Sequence, residues 1–159
     1  GVCLLVQFPG ADYSKAKNLR ALLIDPAVTK IFHYARFDVA TVLKHLGVAC
    51  APVYCTKIAS RLARTYTSSH GLKDVCRELV GVELNKEQQS SDWAAETLSE
   101  QQIEYAAADV LYLHEVRAKL DEMLAREGRT EMARACFEFL STRADLDLAG
   151  WGEEDIFSH

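Results

Sequence analysis

Val28-Thr29-Lys30-Ile31-Phe32-His33-Tyr34-Ala35-Arg36-Phe37-Asp38 is the stretch on which the fold turns. Val28 to Phe32 reads as a short, partly buried strand. Beyond it, Arg36 to Leu46 carries Ala40, Leu43 and Leu46 at the spacing of a helix face packed on a core, and Gly47 stops it. A strand that runs directly into a helix delivers Asp38, in the first turn, to the sheet edge at which α/β folds bind ligands. The helix dipole there favours the ionised carboxylate. Taken singly, an Asp in a first turn is an ordinary stabilising choice.

Working outward, Val2 to Phe8 is apolar and strand-like, ended by Pro9-Gly10. A short helix from Asn18 to Ile24 closes before Pro26. Pro52 to Cys55 is a short extended piece, followed by a helix over Thr56 to Arg64. A helix over Leu72 to Val80 is opened by Ser69 or His70 and stopped at Gly81. The strongest element runs from Ser99 to about Arg126, where Ser99 and Gln102 form a capping-box pattern. Gly128 breaks it, and Arg129 to Leu140 forms a last helix. The tail from Ser141 is charged and loop-like, with Trp151 and Phe157 as isolated large apolar groups. Strands first and helices after point to a mixed α/β domain whose sheet is only partly present. Residues 1–140 are expected to form the domain and 141–159 a tail that contacts another subunit. The chain starts at Gly1, inside an apparent strand, so an upstream segment is expected.

Bulk properties narrow the function. With 159 residues, this is one domain's worth of chain. No apolar run is long enough to span a bilayer, and Val2 to Phe8 lacks the flanks of a signal peptide, so no membrane partner is expected. The five cysteines form no C-x-x-C pair, which points to a reduced, cytoplasmic compartment rather than a disulfide framework or a zinc site. His45, Cys50 and Cys55 can be drawn as ligands, but small buried thiols are the better reading. The net charge of −5 argues against a protein that coats long duplexes, yet it is compatible with a carboxylate site for cations and a short substrate.

In the Ser99 helix, Ile103, Ala106, Val110, Leu113, Leu120 and Leu124 form one apolar stripe. Tyr105 and Asp109 fall roughly 70–110° from its centre and stack four residues apart. Ala106, Ala107 and Ala108 leave room beside them, as a cleft wall requires. From geometry alone, a surface Asp with a half-buried Tyr is an equal reading. Lys57, Arg61 and Arg64 share one helix face that is able to meet phosphates, although a solvated face is the stronger reading, and Lys73 and Arg77 are similar. Trp93 is able to stack a base but is better read as a core or contact residue.

Together the pieces are far more specific. His33-x-x-x-Phe37-Asp38 after a strand, then Tyr105-x-x-x-Asp109 in a long helix, resembles the second and third motifs of the DEDD exonucleases, in the DEDDy branch. Gly71-Leu72-Lys73, Lys86 through Gln89, Ser91-Asp92-Trp93 and Leu98-Ser99 resemble the RNase D lineage. Cys55-Thr56-Lys57-Ile58-Ala59-Ser60 and Thr65-Tyr66-Thr67 resemble the nano-RNase C group within it. The resemblance implies an RNase H-like (DnaQ-type) α/β fold, a mixed sheet flanked by helices. It further implies a 3'-5' exonuclease acting on short RNA or oligonucleotides with two Mg²⁺ or Mn²⁺ ions, in a ring-shaped homo-oligomer. By the same resemblance Asp38 and Asp109 are metal ligands and Tyr105 orients the attacking water. Phe37, Arg64 and Lys86 are candidate substrate contacts, and His33 either contacts substrate or caps the helix. One departure stands out: the family's first motif, Asp-x-Glu, does not precede Asp38. Asp12 is followed by Tyr13 and Ser14 and does not replace it. The first strand or two of the sheet, and with them two metal ligands, are therefore expected to be absent. The competing class is a non-catalytic nucleic-acid-binding or assembly protein on the same scaffold.

Overall fold

The computed structural model describes residues 2–8, 12–85, 88 and 90–158. Lys86, expected to touch substrate, lies outside the described residues, as do Pro9, Gly10, Glu87 and Gln89.

The centre is a βαβ unit. β1 (Lys30–Phe32) and β2 (Val53–Cys55) pair in parallel, with Lys30 opposite Val53 and Phe32 opposite Cys55. Parallel neighbours need a crossover, which α2 (Ala35–Leu46) supplies. Gly47, at φ 67°, ends α2 with its N–H on the Leu43 carbonyl at 3.1 Å; a left-handed residue there is what a helix stop requires.

Strand alternation sorts the core into two layers. Tyr54 faces one cluster with Val75, Val116, Leu120 and Leu124. Its neighbours Val53 and Cys55 face the other, with Leu23, Ala35, Val39, Leu140 and Ala144. The first layer is built by α3 (Thr56–Ala63), α4 (Leu72–Val80) and α6 (Leu113–Arg126). The second is built by α1 (Lys17–Ile24), α2 and α8 (Leu140–Leu146). Helices thus cover both faces of a small sheet, an α/β fold that is mostly helical.

Three expectations change. Residues 2–8 do not form a strand: they pair with neither strand, and Val2 and Leu4 are exposed. An apolar run becomes a strand only where a sheet edge receives it. The long helix from Ser99 divides at Tyr112 into α5 (Glu100–Leu111) and α6. The apolar stripe therefore does not continue: Leu113, Leu120 and Leu124 are buried while Ile103 and Val110 are exposed. Finally, the segment beyond Ser141 is not loop-like. After α7 (Thr130–Glu138), α8 runs into a π-helical turn over Asp147–Trp151. Leu140 and Ala144, four apart, are buried against α2. The charges Arg143 and Asp147 bond to one another rather than to water alone.

Candidate active site

The site lies where the two strands end. Past β1, His33 and the left-handed Tyr34 (φ 72°) turn the chain into α2. Ala35 follows, fully buried, with its N–H on the Cys55 sulfur at 3.4 Å. The turn holds Asp38 in the first turn of α2. Past β2, Thr56 and Lys57 open α3. Opposite them stands α5, fixed at its start by the reciprocal capping box of Ser99 and Gln102. A cleft of about 480 Å³ results, lined among others by His33, Asp38, Lys57, Lys73, Tyr105 and Asp109. Residues from four helices meet there at the carboxyl edge of a parallel strand pair.

The electrostatics of this cleft are uncompensated. Burial pushes the Asp38 carboxyl up to about 6, against a smaller lowering by a backbone hydrogen bond. The backbone at the first turn does favour the ionised form, but desolvation is the larger effect. Burial also raises Asp109, partly offset by the Tyr105 phenol. Tyr105 in turn is raised above its usual value by burial, by the Asp109 charge and by their hydrogen bond. Among the described residues no arginine or lysine forms an ion pair with either carboxylate. Half-buried acids that no ion pair satisfies invite a cation from solution. Trp93 packs on the far side of Tyr105, ring centroids 5.9 Å apart.

The expected substrate contacts scatter. His33 lines the cleft, but its Nδ1 is bonded to the Thr56 hydroxyl at 2.9 Å. It does not cap α2, whose N-cap is Tyr34. Burial and the nearby Lys57 charge bring it down to about 4, so the ring is neutral at pH 7. Phe37 is 66% exposed and lies off the cleft. Arg64 is 1% exposed, and its guanidinium bonds Glu78, Ser60 and the Ser69 carbonyl instead. A buried fork with every face used internally is a scaffold group. Lys57 and Lys73 reach the cleft although their sequence context read as solvated. The signal for them is positional: each sits in the first turn of a helix that opens at the strand ends or at Gly71. Asn85 also lines the cleft, with no sequence signal to mark it.

Helices on both faces of a short parallel pair, with the cleft at the strand ends, define an α/β protein of the exonuclease class. Residues 2–125 match the 3'-5' exonuclease family, and the chain belongs to that family, in the ribonuclease D lineage. It is 38% identical over 136 residues to ribonuclease D of Gluconacetobacter diazotrophicus, covering 86% of this chain and 34% of that protein. It is similar to Brucella melitensis NrnC with bound Mg²⁺, at 57% identity and TM-score 0.85, covering 89% of this chain and 69% of that one. It is likewise similar to B. melitensis NrnC bound to pGG, at 58% identity and TM-score 0.90, covering 94% and 72%. The chain thus spans about a third of the length of that curated relative.

Proposed function

We propose that the cleft lined by Asp38, Tyr105 and Asp109 hydrolyses phosphodiester bonds at the 3' end of short RNA or oligonucleotides, releasing nucleoside monophosphates. The observation that carries this reading is the pair of half-buried carboxylates, from α2 and α5, lining one cleft with no ion-pair partner among the described residues.

The donor chemistry fits Mg²⁺ or Mn²⁺, because carboxylate oxygens suit hard divalent ions. Asp38 and Asp109 are the residues that would hold them. Among the described residues no group of three or more potential metal-ligating side chains comes together, so these two carboxylates alone do not make a closed site. When bound, a pair of divalent ions supplies hydroxide at neutral pH and offsets charge on the leaving oxygen.

The protein's own residues do the rest. Tyr105, raised above its usual value, keeps its proton at neutral pH, so its hydroxyl positions a water rather than deprotonating it. Lys57 and Lys73 place positive charge where the phosphates enter. The net charge of −5 favours a short strand, as does a cleft lined, among the described residues, by two lysines. The pGG bound to the B. melitensis relative supports a dinucleotide-sized substrate. Exposed Leu148, Trp151 and Phe157 support a homo-oligomeric contact through the C-terminal segment.

The test is release of GMP from pGpG in Mn²⁺, with EDTA and Asp38→Asn as controls, in a polypeptide that carries this chain. EDTA-sensitive release that Asp38→Asn abolishes supports the reading. Tight oligonucleotide binding without release would instead indicate a non-catalytic binding protein.

A further inference from the structure

A second cavity, of about 770 Å³, adjoins the cleft and shares Lys57 with it. Four cationic residues line it, Arg36, Lys57, Arg61 and Arg143, and among the described residues no carboxylate does. Arg36 and Arg143 are both ion-paired, sharing the one carboxylate of Asp147. Lys57 and Arg61 are not: among the described residues neither has an ion-pair partner, and the Lys57 ammonium rests on the Tyr34 ring, 4.2 Å from its centroid. They stand four apart on α3, one turn, so both charges point the same way. The remaining wall is apolar and aromatic, with Phe139 and Phe157 in ring contact at 6.0 Å. Tyr34 holds a left-handed backbone conformation, costly for a tyrosine and typical of functional surfaces.

We propose that this cavity is a second nucleotide site, outside the cleft. The base packs against the aromatic wall, and the phosphate lies on Lys57 and Arg61. Flat rings bind aromatic side chains whatever their sequence, and two uncompensated cations favour a phosphate. A nucleotide is chosen over other apolar anions on the nuclease reading of the neighbouring cleft. The source is either a free mononucleotide or the upstream nucleotide of a strand held in the cleft.

Cys136 provides a reporter, because it lines this cavity, not the cleft, and is exposed while Cys50, Cys55 and Cys76 are buried. The experiment titrates GMP into the full chain in EDTA, by calorimetry and by the rate of Cys136 alkylation followed by mass spectrometry. GMP is expected to bind saturably and slow Cys136 alkylation. Arg61→Gln is expected to weaken it about tenfold, Arg61→Lys to restore most of it, and Asp38→Asn/Asp109→Asn to leave it unchanged. Affinities of a dinucleotide and a tetranucleotide separate the sources. An Arg61→Gln penalty confined to the longer strand assigns the cavity to upstream nucleotides, and one seen equally with GMP assigns it to free nucleotide. Binding of GMP and of both longer strands that spares Cys136 and ignores Arg61 but is lost in the aspartate variant overturns the proposal and leaves the cleft reading standing. Decanoate binding as well as GMP would overturn it too. Failure of the cleft reading is seen separately, as release from pGpG that survives Asp38→Asn.

Discussion

Arg36 meets Asp147 edge on: Nε donates to Oδ2 and Nη2 to Oδ1, both at 2.8 Å. Nη2 also reaches the Gly152 carbonyl at 2.5 Å, and Arg143 donates to Oδ1 of the same aspartate at 2.6 Å. One carboxylate thus ties the C-terminal helix to the turn of α2 that carries Asp38.

The Asp147 clamp has a defined pH signature. Its bond to Arg36, more than any other cause, holds the Asp147 carboxyl below the ordinary range. A lowered folded value adds stability above the unfolded pKa, near 3.8, and that stability is lost as pH falls through the folded value. Asp147→Asn leaves two guanidiniums side by side and is expected to cost roughly 2 kcal/mol at pH 7. Urea titrations from pH 7 down to pH 3 should show the difference between variant and parent shrinking with acid. A difference that persists unchanged at pH 3 would mean that Asp147 acts through packing and not through charge.

Asp38 has the opposite sign. Burial lifts it from 3.8 to about 6, so in metal-free protein its ionisation opposes folding. The stability it allows is full below pH 4 and lost as pH rises through 6, by at most about 3 kcal/mol. Asp38→Asn should flatten this slope and be the more stable protein at pH 7 in EDTA. Mn²⁺ should reverse the trend, since an ion binds only the charged form. A parent and variant with the same pH dependence in EDTA would show that Asp38 is solvated.

Much of this was legible in the sequence, for physical reasons. The β1–α2 junction was readable because Phe32 to Leu46 switches period from two to 3.6 within a few residues, and Gly47 ends the helix. The capping box of Ser99 and Gln102 was readable because both partners lie within one turn. The break at Tyr112 was not, since no proline or glycine marks it. The tail misled because Arg143, Asp145 and Asp147 read as solvated charges, whereas the partner that organises Asp147 lies 111 positions away at Arg36. Within the candidate site, Asp38, Tyr105 and Asp109 were found by motif resemblance. Arg64 was misjudged because a basic helix face does not reveal that Glu78, fourteen positions on, pairs with it and that the guanidinium is buried.

Tyr105→Phe keeps the ring and its contact with Trp93 at 5.9 Å while deleting the hydroxyl that bonds Asp109. Turnover of pGpG is expected to fall about 10²-fold with binding little changed, the scale of losing one positioned group. Unchanged kcat would make Tyr105 a packing residue.

Glu78→Gln tests the reassignment of Arg64. The substitution removes the anion from a guanidinium that is only 1% exposed, and it should cost roughly 2 kcal/mol of stability. The Michaelis constant for oligonucleotide should not move. A raised constant with unaltered stability would return Arg64 to the substrate.

Metal binding separates what these 159 residues hold from what the family's chemistry needs. Two divalent ions 4 Å apart repel by about 4 kcal/mol in bulk water and about 17 at an effective dielectric of 20. Asp38 and Asp109 bring two negative charges against four positive, and Lys57 and Lys73 on the same cleft add to the repulsion. No third ligating side chain joins them among the described residues. Calorimetry of the 159-residue chain with Mn²⁺ is therefore expected to show at most one ion, weakly held, and no nuclease activity. A polypeptide that also carries an Asp-x-Glu strand should bind two ions tightly and turn over pGpG. In it, Asp109→Asn should remove the ion that Asp109 holds. Strong, EDTA-sensitive hydrolysis by the 159-residue chain alone would mean that another carboxylate completes the site. Asp92 is the first to examine, since its backbone carbonyl accepts from Gln102 at the start of α5, and Asp92→Asn would then abolish the activity.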